Sequence, residues 1–190
     1  PKPSSAASDV YKRQVLERRR GQPLALALIA LELAQRLQVP LAGVNFPGHF
    51  LLRVPGADHL LDPCGGRRLY PNDCRELLQR QYGAHIKLSA EHLASAEPLQ
   101  MFQRLSRNLR QLHLSYDDHL GALINAERVL EIGNGSAADY LARASLYQRL
   151  ECPNAERFDL EHALLLSDDP IQRLRLTERL GHLPPNTIVH

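Results

Sequence analysis

The chain has 190 residues, 44% of them hydrophobic, which is enough for one medium-sized domain or two small ones with a packed core. Its formal net charge is +2, with 13 basic and 9 acidic side chains in the first hundred residues and 10 and 12 in the remainder. This balance excludes the strongly basic surface that is typical of nucleic-acid-binding proteins. No apolar run reaches the ~18 residues of a membrane span, so the sequence also excludes a membrane protein.

Three cysteines, Cys64, Cys74 and Cys152, form neither a CxxC pair nor a metal-ligand spacing. An odd number of cysteines in a chain of this size is typical of reduced thiols inside the cell. The first residues also lack the charged and then apolar pattern of a secretion signal. We therefore expect a cytoplasmic protein that uses no metal or other cofactor.

The chain begins with a segment that predicts no regular structure. Residues 1–14 are rich in Pro, Ser and Ala without periodicity, which indicates a disordered or unrelated leader. A helix is predicted from Pro23 to Leu37, because proline is tolerated at the first helical position and apolar residues then recur at helical spacing. Apolar residues lie on nearly all sides of this helix, which favours a central position in the fold.

Short strands separated by turn residues are predicted after this helix. They cover residues 42–46, 49–54 and 59–62, and the last two form a hairpin. A loop over residues 63–66 follows, and a helix is predicted from Asp73 to Tyr82, with Asp73 as its N-terminal cap and Asn72 as the second candidate for the cap.

The hairpin brings a histidine and an aspartate together. If Val54 lies opposite His59, then Leu51 lies opposite Asp62, and His49 is on the same face as Leu51. Side chains in such diagonal positions are within reach of each other, so a hydrogen bond between Asp62 and the His49 imidazole is geometrically reasonable. The alternative interpretation is structural, with His49 as a residue of an apolar strand and Asp62 as a turn residue.

The second half of the chain, from Leu99 onwards, is helical and repeats with a period of 34 residues. The shift aligns Leu112 with Leu146 and Leu130 with Leu164, among other pairs. This is the period of the tetratricopeptide repeat, a pair of antiparallel helices, although a plain helical bundle is the alternative. The register predicts two helix pairs and a capping helix, over residues 101–114, 118–132, 136–150, 154–167 and 170–181. It predicts buried side chains at Leu112, Tyr116, Leu130, Ile132, Leu146, Leu150, Leu164 and Leu166.

A histidine and an aspartate in this order are two members of a Cys-His-Asp arrangement. Thiol acyltransferases need a thiolate, a base beside it and a group that orients the base. A cysteine at a helix N-terminus suits the first role, because the helix dipole lowers its pKa. The predicted helix instead begins at Pro23, which has no nucleophilic atom. Cys64 and Cys74 are the alternative nucleophiles, and nothing in the spacing ties either thiol to His49.

Three strings carry a family resemblance: LERRRGQPLALA from Leu16, FPGHFLLR from Phe46 and LLDPCGG from Leu60. In this order they resemble the bacterial transglutaminase-like proteins of the SirB type, which carry tetratricopeptide repeats behind a transglutaminase-like core. The resemblance implies an α+β papain-like core over residues 15–98, with a central helix and a small antiparallel sheet. All-α tetratricopeptide-like hairpins would follow over residues 99–190.

The resemblance also implies roles for individual residues. His49 and Asp62 match the catalytic His and Asp of the transglutaminase triad, and Pro23 occupies the place of the nucleophilic Cys. Members of the family usually have further helical sequence before the LERRR string, so we expect a core that is truncated at its N-terminus.

Two functions from different classes follow from these observations. The first is a non-catalytic transglutaminase-like protein that acts in protein–protein interaction or regulation, with the helical repeats presenting a groove to a protein or peptide partner. The second is a cysteine-dependent acyltransferase or amidase in which His49 and Asp62 work with Cys64 or Cys74. We expect neither nucleic acid nor membrane among the partners of either.

Overall fold

A computed structural model describes residues 22–184 of the chain, which divide into two compact units, one up to Pro98 and one from Leu99 onwards. The predicted leader over residues 1–14 lies outside the described residues.

The first helix in the described part of the first unit is α1 (Pro23–Arg36), which begins at Pro23 as predicted. Its first turn is buried, with Leu24 and Ala27 at 2% and 0% exposure. Much of the second half faces solvent: Leu33 is 53% exposed and Arg36 pairs with Glu32 on the surface, whereas Ala34 stays buried. The prediction of a central helix therefore holds for the first turn and is wrong for the second half, where charged residues interrupt the apolar surface.

A four-stranded antiparallel sheet follows, with the strands adjacent in chain order. Its strands are β1 (Ala42–Val44), β2 (Leu51–Arg53), β3 (Leu60–Leu61) and β4 (Arg68–Leu69). The first three are shorter than predicted, and no strand was predicted at the position of β4. Two residues are too few to show an alternation in the sequence, so β4 is defined by its pairing with β3.

The hairpin of β2 and β3 has the predicted register. Leu52 pairs with Leu61 and Arg53 pairs with Leu60, as they must if Val54 lies opposite His59. One face of the sheet therefore carries an apolar row that packs on a second helix. Its members are Val44, Leu51, Leu60 and Leu69 of the sheet and Cys74 and Leu78 of helix α2 (Pro71–Tyr82).

The two α-helices described in this unit, α1 and α2, contact different parts of the sheet. Helix α1 contacts β1 and β2, whose Gly43 and Leu52 are buried on the face opposite to the apolar row. Helix α2 begins at Pro71, two residues earlier than predicted. Asp73 is in its first turn rather than at the cap, and its carboxylate accepts a hydrogen bond of 2.9 Å from the Tyr70 N–H.

The second unit is helical throughout its described length, and each consecutive helix packs on the next from α4 to α7. Its helices lie close to the predicted bounds: α3 (Pro98–Ser115), α4 (His119–Ile132), α5 (Ala137–Arg149), α6 (Pro153–Leu166) and α7 (Pro170–His182).

The 34-residue period is present in the turns of this unit. Asp117 and Glu151, which are 34 residues apart, both adopt a left-handed backbone with φ of 58° and 56°. In both turns the next residue donates to a carbonyl five residues back, each at 2.9 Å. Equivalent sequence positions therefore form the same helix–turn–helix connection.

The period also extends to burial, although the buried set differs from the predicted one. In α4 and α6 the buried positions match one to one: Ala122, Asn125, Ala126 and Val129 in the first helix, and Glu156, Asp159, Leu160 and Ala163 in the second. Among the predicted core residues Leu146 is buried, whereas Tyr116 and Leu166 are 77% and 51% exposed. Tyr116 lies in the turn after α3 and Leu166 ends α6, where the helices no longer cover them.

Buried carboxylates in this unit are each paired with an arginine of a neighbouring helix. Asp139 of α5 accepts two hydrogen bonds of 2.8 Å from Arg107 of α3. Asp159 of α6 accepts two from Arg143 of α5 in the same way, and Glu156 pairs with Arg179 of α7. Removing one partner of such a pair leaves an uncompensated buried charge, so these pairs restrict how the helices can be stacked.

Asp139 makes the stability of the chain depend on pH in the acid range. Burial opposes ionisation of Asp139, but hydrogen bonds from Arg107 and Ser136 outweigh it and lower its pKa from 3.8 to about 2. The stabilisation is complete above the unfolded pKa and is lost as the pH falls through the folded pKa. We expect Asp139 to contribute on the order of 2 kcal/mol to this loss, measured by urea unfolding from pH 5 to pH 2.

The matched control is Asp168, an exposed residue between α6 and α7. Asp139→Asn should lower stability at neutral pH and flatten the decline between about pH 4 and pH 2, whereas Asp168→Asn should leave the curve unchanged. An Asp139→Asn curve parallel to that of the unsubstituted chain would contradict the role given to this pair.

Candidate functional site

Pro23 is the first residue of α1 and is exposed. The N–H groups of Ala25 and Leu26 donate to the Gln22 carbonyl at 2.9 and 3.2 Å, so the helix opens at this point. Proline at this position costs no hydrogen bond, since the N–H would be unpaired anyway. The position is suited to a thiolate by its place at the helix N-terminus, but proline offers no atom that can attack a carbonyl.

His49 is the last residue of a tight turn between β1 and β2. Its N–H donates to the Phe46 carbonyl at 3.0 Å, with Pro47 and Gly48 between them. Gly48 has φ of 72°, which is the geometry of a type II turn with proline and then glycine at its centre. The imidazole is half-buried, with its ring 6.5 Å from that of Phe46.

Asp62 lies directly after β3 and organises the turn into β4. Its Oδ1 accepts a hydrogen bond of 2.9 Å from the Cys64 N–H, and its carbonyl accepts one of 2.8 Å from Gly66. A side-chain oxygen that binds the amide two residues on is a common turn device of aspartate. The Asp62 carboxylate therefore stabilises the turn in which it lies.

The predicted link between His49 and Asp62 is not seen as a direct contact. Both residues lie outside the strands, so strand alternation does not determine where their side chains point. Within residues 22–184 no hydrogen bond joins the imidazole to the carboxylate. The hairpin register does bring the segments that carry them side by side, and their role as a catalytic pair stays a prediction.

A cavity of about 310 Å³ lies elsewhere in the first unit, and the sequence did not reveal it. Within it His59 Nδ1 is 2.9 Å from Asp58 Oδ1, and the His59 ring is 5.5 Å from that of Tyr70. The cavity is lined by Arg53, Gly56, Ala57, Asp58, His59, Leu60, Leu69, Pro71, Cys74 and Leu93. Arg53, Leu60 and Leu69 form one cross-strand row, so the register would have grouped them had β4 been recognised.

Comparison with protein families identifies the first unit. The family model of the transglutaminase-like superfamily matches residues 6–107. The chain belongs to the transglutaminase-like superfamily. Its small antiparallel sheet and helices agree with a transglutaminase-like α+β core, as expected from the three strings.

Relatives of this transglutaminase-like chain occur in bacteria and in mammals. UPF0162 protein PA3419 of Pseudomonas aeruginosa is 63% identical over 173 residues, which cover 91% of the chain and 64% of that protein. A UPF0162 protein of Xylella fastidiosa is 35% identical over 162 residues, covering 82% and 58%. F-box only protein 21 of Homo sapiens is 35% identical over 117 residues, covering 56% and 18%. No solved structure matches. The chain thus spans less than two thirds of each of these relatives.

Two cysteines of this transglutaminase-like chain, Cys64 and Cys74, have thiol pKa values above the ordinary value. Cys64 is exposed, and its pKa is raised by partial burial of the thiol and by the neighbouring Asp62 carboxylate. Cys74 is buried in the core beside Leu78, and burial followed by the Asp73 charge raises its pKa. Both shifts disfavour the thiolate, which is the reactive form. Cys152 belongs to the helical unit, where its thiol donates to the Leu150 carbonyl at 3.4 Å.

Residues 22–184 hold no group of three or more His, Cys, Asp or Glu side chains arranged to bind a metal ion. None of the helices in the same range has the length and apolar character of a membrane-spanning segment.

The Cys64 thiol reports on the charge of Asp62. We expect Asp62→Asn to accelerate the alkylation of Cys64 by iodoacetamide near neutral pH, because it removes the charge that raises the Cys64 pKa. Peptide mass spectrometry measures the rate, with Cys152 in the other unit as an internal reference. His49→Ala should leave the Cys64 rate unchanged. A slower Cys64 rate in that variant would show that the imidazole acts on this thiol.

Proposed function

We propose that this chain is a non-catalytic transglutaminase-like protein that acts in protein–protein interaction or regulation. One observation carries the proposal: the exposed first residue of α1, where the resemblance places the nucleophilic cysteine, is Pro23. The helix N-terminus that would stabilise a thiolate is retained, but the sulfur is missing. On this basis His49 and Asp62 form a vestigial pair that is kept as architecture.

The remaining thiols do not substitute for the missing one in this proposal. Cys74 belongs to the apolar core under the sheet, where ionisation is unfavourable. Cys64 is close to Asp62, but the carboxylate raises its pKa instead of orienting a base toward it. An acyl transfer needs the base beside the nucleophile, and among the described residues no thiol is hydrogen-bonded to His49.

The helical unit supplies the interaction surface of the proposal. We assign its helix pairs to the tetratricopeptide class, and we place the boundary between the transglutaminase-like core and the repeats at residues 98 and 99. The repeated turns and repeated burial support this assignment. Large apolar side chains are exposed at equivalent positions of both repeats, Ile124 at 49% and Phe158 at 53%. Exposed apolar residues that recur with the repeat suit a surface that binds a protein segment.

The relatives are consistent with a module that works inside larger proteins. The match to F-box only protein 21 covers 18% of that protein, so the same kind of core occurs there beside much additional sequence. Within bacteria we assign the chain to the SirB type, on the three strings that carry the resemblance.

The absence of a nucleophile predicts the outcome of active-site labelling. We expect no covalent adduct when the folded chain is incubated with a glutamine-mimicking electrophile, and no transfer of a primary amine to a glutamine peptide. Intact-mass and peptide spectrometry measure both. Iodoacetamide treatment of the unfolded chain is the control that all three thiols are free to react. An adduct on Cys64 or Cys74 that disappears in His49→Ala would overturn the proposal.

Two cysteine variants test the assignment of position 23. Pro23→Cys restores a thiol at the first helical residue, and Gln22→Cys places an equally exposed thiol one residue earlier. Labelling of Pro23→Cys that requires His49, without such a requirement in Gln22→Cys, would place the imidazole next to the vacant nucleophile position. Equal and His49-independent labelling would contradict the assignment.

The interaction role predicts crosslinking from a single face of the repeats. We expect a photo-crosslinking phenylalanine analogue at Phe158 to capture a discrete protein in the native cell. The matched control is the analogue at Glu161, which is exposed on the same helix. Ile124→Glu should reduce the Phe158 adduct, since it places a charge at the equivalent position of the first repeat. Equal yields at both positions, or an adduct insensitive to Ile124→Glu, would contradict this role.

The second candidate function is a cysteine-dependent acyltransferase or amidase that uses His49 and Asp62 with Cys64 or Cys74. The hydrogen bond between the Cys64 amide and the Asp62 carboxylate favours Cys64 over Cys74, because it holds that residue beside one member of the predicted pair. The electrophile experiment above separates the two functions.

A further inference from the structure

The cavity under the β-hairpin has the features of a ligand site that the proposed function does not use. It lies on the α2 side of the sheet, between the hairpin turn, the start of α2 and Leu93. Its volume of about 310 Å³ is at the lower end of the range of small-molecule pockets. Pro23 and Asp62 do not line it, and neither does His49.

Arg53 brings positive charge to this cavity. It lines the cavity, and its guanidinium donates to the Leu93 carbonyl, which fixes the side chain in place. Helix α2 begins in the wall at Pro71, and Asp73 in its first turn offsets the partial positive charge of the helix N-terminus, which leaves Arg53 as the group that can pair with an anion. Asp58 is the one carboxylate among the lining residues, and its side chain is 81% exposed at the rim.

His59 gives the cavity a further polar group. The hydrogen bond with His59 is the main factor that lowers the pKa of Asp58, so this carboxylate is ionised and can only accept. His59 Nδ1 is therefore the donor in the contact of 2.9 Å with Asp58. Nε2 is the second polar atom of the His59 ring, and the His59 side chain is 16% exposed.

The rest of the wall is apolar and uncharged. Leu60 and Leu69 are 5% exposed and belong to the core row, and Leu93 packs against the same cluster. Burial raises the pKa of the Cys74 thiol, so this residue contributes no negative charge to the wall. A ligand in the cavity would meet apolar side chains on one side and positive charge on the other.

We propose that this cavity binds a small carboxylate that has an apolar body, such as an aryl or short acyl carboxylate. The carboxylate lies toward Arg53, and the apolar body lies against Leu60, Leu69 and Leu93. Binding at this site does not depend on the proposed function, since none of its residues belongs to the nucleophile position or to the helical repeats.

The test is a titration of the full chain with benzoate, followed by the amide signals of the hairpin turn in two-dimensional NMR. Benzamide is the neutral analogue of the same shape, and acetate is the carboxylate without the ring. We expect saturable benzoate binding with a Kd in the millimolar range or tighter, as about nine non-hydrogen atoms permit. Benzamide and acetate should each bind at least about tenfold more weakly.

Three variants locate the site. Arg53→Met removes the lining charge and should weaken benzoate binding about tenfold or more. Arg68→Met is the matched control, because Arg68 is exposed, pairs with Leu61 on the opposite face and does not line the cavity. It should change the Kd less than about twofold. Ala57→Trp places a large ring at the cavity in an irregular turn, where it should abolish binding without unfolding the core.

The outcomes decide the proposal in both directions. Circular dichroism and the unperturbed signals of α2 establish that each variant is folded. Arg53→Met also removes the hydrogen bond to the Leu93 carbonyl, so Ala57→Trp provides a second test of the location that keeps this bond. Equal binding of benzoate and benzamide would overturn the charge assignment. Unchanged benzoate binding in folded Ala57→Trp would overturn the location, and absence of saturable benzoate binding would overturn the site.

Discussion

The register of the β2–β3 hairpin is the constraint on which the first unit depends. Pairing of Leu52 with Leu61 and of Arg53 with Leu60 directs one row of side chains toward α2. A shift of one residue would turn every side chain of the strand to the other face. It would expose the row that packs on Cys74 and Leu78, and it would take Arg53 away from the cavity. The same register brings the segments that carry His49 and Asp62 side by side. The packing of the core, the position of Arg53 at the cavity and the predicted pair therefore all depend on this register.

The second unit is organised by a different constraint, the pairing of buried carboxylates with arginines. Glu156 is 3% exposed at the repeat position where the first repeat has the small, fully buried Ala122. An unpaired charge in such a place would be costly, but Arg179 of the next helix supplies its partner. The two repeats thus share one backbone arrangement and differ in the side chains that are buried at equivalent positions. The final helix α7 is needed chemically as well as sterically, because it neutralises a charge that α6 buries.

The sequence predicted what depends on local pattern and missed what depends on tertiary pairing. The helix start at Pro23, the hairpin register and all five helices of the second unit follow from turn residues and periodicity. Strand β4 was missed because two residues cannot show a period, and the cavity was missed with it. Tyr116 and Leu166 were predicted as buried because the repeat alignment treats every matched apolar residue as core, whereas helix ends and turns leave such residues uncovered. For His49 and Asp62 the strands end too early for alternation to determine their side-chain directions.

Pro23 connects the fold of the first unit to its proposed function. A helix N-terminus is valuable to a thiol enzyme because its unpaired N–H groups and dipole stabilise an anion. Proline at the first position keeps the backbone direction of the helix and removes the group that would hold the negative charge. A site altered in this way can still be shaped by His49, Asp62 and the turn before β2, since those residues are positioned by their own hydrogen bonds rather than by a sulfur. In the proposed function Pro23 thus excludes covalent chemistry at this position while it leaves the architecture intact, and binding is the class of function that we assign to it.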